Sequence, residues 1–409
     1  MSVEVSLEDF ESEVLTFLEH HTVAKPTDEF TWGRGDDDTS VFLEVDADTE
    51  RGQLVYAKWF RAQRFDAGLG WIMGPPQFGG RGLSRRHEAL YHAIEARFQT
   101  PDMRFFGIGL GMVAPTILAH ARETVQSRYL PRLFRGDLIA CQLFSEPGAG
   151  SDIASVATKA ERDHDGWVLS GQKVWTTGAQ HADIGLILAR TNPAVAKHKG
   201  ISAFLVDMRA PGVTVRPLRQ ITGGASFNEV FFDEVRISDE FRLGDVDDGW
   251  RIALTTLLNE RASIGAGGEA SARLEFMQPE RLIALLRQLG LDDDPVIRDQ
   301  FAKIYIAQQV TRWNGHRAME TIVATGIPGP ELSAAKLART NWMRMVGEFV
   351  TDVLGPRLAA DTGEWGTFAW TRFLLGAPGL RIAGGTDEIQ KKIIGEQVLG
   401  LPKEPASPI

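Results

Sequence analysis

Two short stretches carry residue types that could hold a flat ring by one stacking surface and several hydrogen bonds. The first is Ser145-Glu146-Pro147-Gly148-Ala149-Gly150-Ser151-Asp152, where a β-prone run ends in a Pro-Gly-x-Gly turn. Such a turn leaves backbone N–H groups unpaired, and glycine's missing Cβ lets a ligand approach closely. Two hydroxyls, Ser145 and Ser151, and two carboxylates, Glu146 and Asp152, flank the turn. The second stretch is Trp175-Thr176-Thr177, an aromatic face followed by two hydroxyls at the end of another β-like run. A surface hairpin with a glycine-rich turn would show the same Pro-Gly-x-Gly, so the rest of the chain has to separate the two readings.

The chain has 409 residues, enough to bury a large core and to divide into two or three domains. Its hydrophobic content of 43% and charged content of 24% are those of an ordinary globular protein. A formal net charge of -10 argues against nucleic acid as the main partner, because phosphate binding draws on clustered Lys and Arg. The single cysteine, Cys141, cannot form an internal disulfide and fits a reducing compartment. The nine histidines are scattered without zinc-ligand spacing, so no metal site is expected. No signal peptide opens the sequence and no apolar run is long enough to span a bilayer, which points to the cytoplasm.

The elements that must position the two stretches follow from periodicity. Ser6 and Asp9 form a capping-box pattern ahead of a helix whose apolar face is Leu7, Phe10, Val14, Phe17 and Leu18. An acidic loop at Asp36-Asp37-Asp38 precedes a helix from Gln53 to Ala67, and Ser84 to Gly136 is again mostly helical. Gly107, Gly109 and Gly111 follow no strand and are no dinucleotide fingerprint. From Asp137 the period changes. Leu138 to Phe144, Ala154 to Glu161, Trp167 to Trp175, Ile184 to Ala189, Ile201 to Val206, Val213 to Leu218 and Phe227 to Val235 predict strands without intervening helices, hence an antiparallel sheet or barrel. After Gly249-Trp250 the helical period returns, with helices from Ile252 to Ala262, Leu282 to Leu289, Pro295 to Gly326 and Pro330 to Leu354, and a last segment from Ala383. The fold class is α+β. Its expected domains are an N-terminal helical domain over 1–137, a central antiparallel β domain over 138–246 and a C-terminal helical bundle over 247–409.

With these residues in order, the chain resembles the acyl-CoA dehydrogenases. The turn Ser145 to Asp152 followed by Ser170-Gly171-Gln172-Lys173-Val174-Trp175 matches their signature. Tyr129-Leu130-Pro131 before Gly136, Gly249-Trp250 and Gly385-Thr386-Asp387-Glu388-Ile389-Gln390 match as well, so the resemblance covers nearly the whole chain. It implies FAD held between the β domain and the C-terminal bundle, with Gln142, Phe144, Ser145, Trp175, Thr176 and Thr177 flanking the isoalloxazine ring. It also implies Gly150 and Ser151 in the turn beside the cofactor, Ser151 bordering the acyl-pantetheine channel, and Thr386 and Glu388 near the flavin's pyrophosphate and ribose. Asp152 is expected to brace the turn rather than to act chemically.

The reaction needs a base for the acidic α-proton of the thioester, and a carboxylate shielded from water suits that role. Many family members carry a Glu immediately before the C-terminal Gly-Thr; here that position is Gly384. Isovaleryl-type and long-chain-type members place their base on the first long C-terminal helix, next to an Arg, and Glu260-Arg261 stands at that place. The resemblance therefore implies Glu260 as base, Arg261 toward the CoA end, and the Gly384 N–H toward the thioester carbonyl. As a plain helix residue, Glu260 would merely pair with an Arg. Two further departures stand out. The stretch after Gly268 lacks the Arg-x-x-Phe-Gly that reaches the partner subunit's FAD, and Gly355-Pro356 replaces a common Gly-Gly turn.

The reaction so implied converts an acyl-CoA to a trans-2-enoyl-CoA, with an electron-transfer flavoprotein as acceptor and a homodimer or homotetramer as the assembly. A relative with oxidase or monooxygenase chemistry is one alternative. Another is a non-catalytic subunit of a heteromeric dehydrogenase, which Gly384 would suit if Glu260 were misplaced; a DNA-binding relative is disfavoured by the acidic balance. Acyl specificity would lie near Phe105, Leu110 and Leu254 to Leu258.

Overall fold

The structure is a computed structural model that describes residues 5–25, 40–42, 45–265, 277–325, 329–359 and 369–403. The acidic loop at Asp36-Asp37-Asp38 and the stretch around Gly268 lie outside the described residues. The chain divides into two compact units. One comprises Met1–Asp28, Val45–Leu218 and Ala225–Thr256, the other Glu29–Glu44, Arg219–Gly224 and Leu257–Ile409.

In the first unit, Ser6 caps helix α1 (Leu7–His21) by accepting from the Asp9 N–H, and Phe10, Val14, Phe17 and Leu18 are its buried face. Strand β1 (Val23–Ala24) follows. Helix α2 (Ala47–Asp66) begins earlier than its apolar pattern shows, because the Asp46 carboxylate caps the N–H groups of Asp48 and Thr49. Helix α3 (Arg85–Glu95), strand β2 (Phe98–Gln99), which pairs antiparallel with β1, and helices α4 (Ala114–His120) and α5 (Glu123–Arg135) complete the helical part. Gly136, with φ 87°, takes the left-handed conformation that ends α5.

The sheet contains β3 (Ala140–Leu143), β4 (Lys159–Asp163), β5 (Gly166–Thr177), β6 (Ile184–Arg190), β7 (Ile201–Asp207), β8 (Val213–Leu218), β9 (Phe227–Ser238) and β10 (Arg242–Leu243). Its order is β10-β7-β6-β4-β5-β9-β8, with β3 also on β6. Most pairs are antiparallel, but β3 runs parallel to β6, Ala140 opposite Ile184 and Leu143 opposite Ile187, and β4 meets β6 parallel at Lys159 and Arg190. A purely antiparallel sheet is therefore not what forms. Two strands joined through β4 and β5, rather than by a hairpin, are free to run the same way. Six of the seven residues in each of β6 and β7 are buried, which makes these apolar strands the centre of the sheet. Ala57, Phe105 and Phe106 of the helical part join Cys141, Leu143, Leu169, Phe204 and Val230 of the sheet in one core. The strand expected from Ala154 starts only at Lys159, because the N–H groups of Ala157 and Thr158 are already bonded to Glu146.

Helix α6 (Gly249–Gly265) runs from the first unit into the second, and its Thr256 hydroxyl pairs with that of Thr116 within the first. The second unit continues with α7 (Pro279–Leu289), α8 (Pro295–Thr325), α9 (Glu331–Leu354), α10 (Ala369–Ile382) and α11 (Asp387–Ile393). Its core joins Leu282, Leu285 and Leu286 to Trp342, Val346, Phe349 and Val350 and to Trp370 and Phe373. Helix α10 was not expected from the sequence. Gly376, Pro378 and Gly379 argue against a helix, yet complete burial of Trp370 and Phe373 overrides local propensity. No helix among the described residues is long and apolar enough to cross a membrane.

Candidate functional site

In the first unit the two motif stretches lie side by side. The Val174 N–H donates to the Ser145 carbonyl at 2.9 Å, so the end of β3 is locked to β5 just before Trp175. The β5–β9 register shifts between Lys173 and Thr176, and Trp175 sits in this irregularity with φ 60°. A left-handed conformation at a bulky residue costs roughly 1–3 kcal/mol, and such bulges re-aim side chains beside binding sites. Here the result is an indole 61% exposed, held edge-on by Phe227 at 6.0 Å between centroids. Thr177 is exposed as well, whereas Thr176 is buried, and its hydroxyl has no hydrogen-bond partner among the described residues. A Cβ built on Gly148 or on Gly150 would meet nothing within 4 Å, so the turn borders open space. Gln142 is half-buried on β3, and Phe144, directly after the strand, is buried. Ser151 and Asp152 are exposed, and Asp152 accepts from Ser155 Oγ and from Lys197 Nζ, each at 2.5 Å, which is the bracing role expected of it.

A buried ion pair holds this wall together, and the motif reading passed over it. Lys173 has no exposed side-chain surface; its Nζ donates to Glu146 Oε1 at 2.7 Å and to the Phe144 carbonyl at 3.1 Å. Glu146 also accepts from the N–H groups of Ala157 at 2.6 Å and Thr158 at 3.0 Å. Burial pushes the Lys173 amine down to about 8 against the pull of Glu146. Burial alone would raise the Glu146 carboxyl, but Lys173 and the hydrogen bonds outweigh it and hold it below its ordinary value. The signal was in the sequence: a Lys directly before Val174 and Trp175 in a predicted strand, a residue type almost never buried without a partner.

In the second unit Gly384, Thr386 and Glu388 lie at the turn between α10 and α11, and Glu260 and Arg261 lie on α6. Gly384 and Gly385 both take positive φ, 65° and 88°. Gln390 Nε2 donates to the Gly384 carbonyl at 2.8 Å and to the Gly385 carbonyl at 3.1 Å. Lys336, buried on α9, donates to Gly385 O at 2.6 Å and to Arg381 O at 3.2 Å. Asp387 binds Arg381 at 2.7 Å and accepts from Thr340 at 3.1 Å. Thr386 Oγ1 caps α11 by accepting from the Ile389 N–H at 3.3 Å, which leaves its own O–H free to donate elsewhere; Glu388 is exposed. Glu260 and Arg261 are half-buried on α6. Burial lowers the Arg261 guanidinium's affinity for its proton and the adjacent Glu260 opposes this; its Nε finds no hydrogen-bond partner among the described residues. Burial lowers the Lys336 amine's affinity for its proton, and Asp387, then Glu260, oppose this.

Three successive domain matches decide what these residues belong to. Residues 43–137, 141–235 and 247–399 match the N-terminal, middle and C-terminal domains of acyl-CoA dehydrogenase. The chain belongs to the acyl-CoA dehydrogenase family. Acyl-CoA dehydrogenase IpdE1 of Mycobacterium tuberculosis is 40% identical over 82% of this chain and 85% of its own. Two solved structures share the fold at 24% identity. The Tcur3481-Tcur3483 steroid ACAD matches 97% of this chain and 98% of its own with a TM-score of 0.76. The ChsE4-ChsE5 complex from Mycobacterium tuberculosis matches 99% and 100% with a TM-score of 0.70. This acyl-CoA dehydrogenase is thus a flavin-dependent oxidoreductase, since members of the family depend on FAD.

The residues present fit that cofactor. An exposed indole on a bulge, Ser145 and Thr177 close to it in the chain pairing, and a glycine turn with no atom within 4 Å of an added Cβ leave room for a planar ring. Thr176 fits differently from its neighbours. Its side chain lies on the buried side of β5, so only its backbone is on the side of Trp175 and Thr177. Of the residues near which specificity was expected, Phe105 is buried against His181, Leu110 packs on the core, and Leu254 is 42% exposed.

Proposed function

We propose that Glu260 is the base that takes the α-proton of an acyl-CoA, giving a trans-2-enoyl-CoA. The bound FAD supplies the acceptor for the hydride that leaves the β-carbon. Gln142, Phe144, Ser145, Gly150, Trp175 and Thr177 hold the ring, with Thr176 serving through its backbone. Thr386, through the hydroxyl proton its capping role leaves free, and Glu388 bind the pyrophosphate and ribose. Ser151 and Arg261 take the acyl-CoA, and the Gly384 N–H polarises the thioester carbonyl.

One observation carries the choice of Glu260. Glu260 is a half-buried carboxylate beside Arg261 on α6, while Gly384 leaves no carboxyl at the place where many members carry one. Electrons would leave to an electron-transfer flavoprotein, and the enzyme would work in the cytoplasm. Ile306, Val310 and Trp313, exposed at helical spacing on α8, support assembly as a dimer or tetramer, or with a paralogous chain. The test is turnover of a panel of straight, branched and ring-bearing acyl-CoAs with an artificial electron acceptor. Enoyl-CoA formation with at least one acyl class is expected. A FAD-loaded protein that turns over none of them, alone or with a paralogous chain, would exclude the dehydrogenase assignment; turnover only with the paralogue would make this chain the non-catalytic subunit.

A further inference from the structure

The peptide unit that joins Phe144 to Ser145 has one end held and the other open. Its carbonyl accepts from Lys173 Nζ at 3.1 Å, inside the core, where the lysine side chain has no exposed surface. Lys173 cannot swing away, because the same Nζ donates to Glu146 Oε1 at 2.7 Å, and the N–H groups of Ala157 and Thr158 anchor Glu146 in turn. The Ser145 carbonyl is held as well, by the Val174 N–H at 2.9 Å. A trans peptide is planar with its C=O and N–H on opposite sides, so a carbonyl drawn to Lys173 sends the Ser145 N–H the other way. Pairing of β3 with β6 has ended before this point, at Leu143 and Ile187. Among the described residues the Ser145 N–H has no hydrogen-bond partner. An open backbone donor on a half-buried residue is uncommon, and here two fixed carbonyls stop it from turning to find an acceptor.

We infer that Lys173 is a positioning residue for the flavin: by holding the Phe144 carbonyl it presents the Ser145 N–H as a fixed donor to a polar atom on the edge of the ring. The inference rests on the reading of Ser145 and Trp175 as ring contacts. Lys173 and Trp175 lie two apart on β5, and the intervening Val174 bonds Ser145, so one short segment sets both the aromatic face and the donor. A donor fixed before the ring arrives needs no reorientation on binding. The reduced ring carries more negative charge on its polar atoms than the oxidised one, so such a donor favours the reduced form and raises its potential. A Met at position 173 would fill similar space but offer the Phe144 carbonyl no donor, and the peptide would no longer be held in this direction.

The experiment compares FAD-loaded wild type, Lys173→Met, and the double variant Lys173→Met with Glu146→Met by urea unfolding and by the midpoint potential of the bound flavin. The double variant removes both charges together, so the net charge of the wall is unchanged and its stability should exceed that of Lys173→Met alone. Its reduced flavin is nevertheless expected to be held about tenfold less tightly relative to the oxidised form, a fall in midpoint potential of about 30 mV. A double variant with the wild-type midpoint potential would show that the pair serves folding alone, and that outcome overturns the inference. If Lys173→Met does not fold, the double variant carries the test by itself. If the double variant does not fold either, Lys173→Gln with Glu146→Gln, equally neutral and shorter at position 173, is read by the same two measures. Trp175→Gly with unchanged flavin content would instead remove the ring site on which the inference rests, and is separately visible.

Discussion

Lys173 and Glu146 are both nearly or fully buried, and neither charge is tolerable without the other. Their pairing joins the residue before the bulge to the turn that follows β3, so it fixes the relation of Trp175 to Ser145. Removing one partner leaves an uncompensated charge. Glu146→Gln is therefore expected to lower the stability of the first unit by about 3 kcal/mol or more. Exchanging both residues for apolar ones of similar size should cost less than either single change. Urea unfolding of the two single variants and the double variant gives the coupling directly; independent, additive losses would show that the pair does not act as a unit. Cys141 needs no such account: burial raises its thiol to about 12, so it stays protonated in the core.

Among the elements, β5 carries the strained position. An exposed Trp with φ 60° gains little from packing, so Trp175→Gly removes strain and loses mainly the edge contact with Phe227. Its unfolding free energy should stay within about 1 kcal/mol of wild type, while flavin content after gel filtration falls. A large loss of stability with full flavin retention would make Trp175 a core residue after all. This element also marks what was legible beforehand. The two motif stretches could be found because each is contiguous and its residue types are unusual. That Thr176 turns inward while Trp175 and Thr177 turn outward could be anticipated only in part from strand alternation, which the bulge interrupts where Lys173 and Val174 are both buried. The parallel pairing of β3 with β6 and the helix through Pro378 could not, since both are decided by partners distant in the chain. For the same reason Lys336 carried no local mark: its partners Arg381 and Gly385 lie on other segments.

At the scale of the molecule, acid tolerance depends on carboxylates held ionised inside the fold. Glu95 on α3 is one: burial would raise its pKa, but Arg64, then His92 and Tyr91, outweigh this and bring it to about 2 from 4.5. Its folded pKa is depressed, so its contribution is present above about pH 4.5 and is lost as the pH falls toward 2. The shift corresponds to about 3 kcal/mol at neutral pH. Glu95→Gln should thus be less stable than wild type at pH 7, and the gap should narrow at pH 3; an equal gap at both pH values would rule this out. The order of helices, sheet and helices was readable from periodicity, whereas Glu260 as base comes from the family resemblance and is a proposal. Everything about catalysis then turns on Glu260. The most direct measurement is flavin reduction on anaerobic mixing of acyl-CoA with FAD-loaded Glu260→Gln. The account predicts full flavin content and no bleaching of the oxidised flavin on the timescale of wild type; bleaching at the wild-type rate would contradict it.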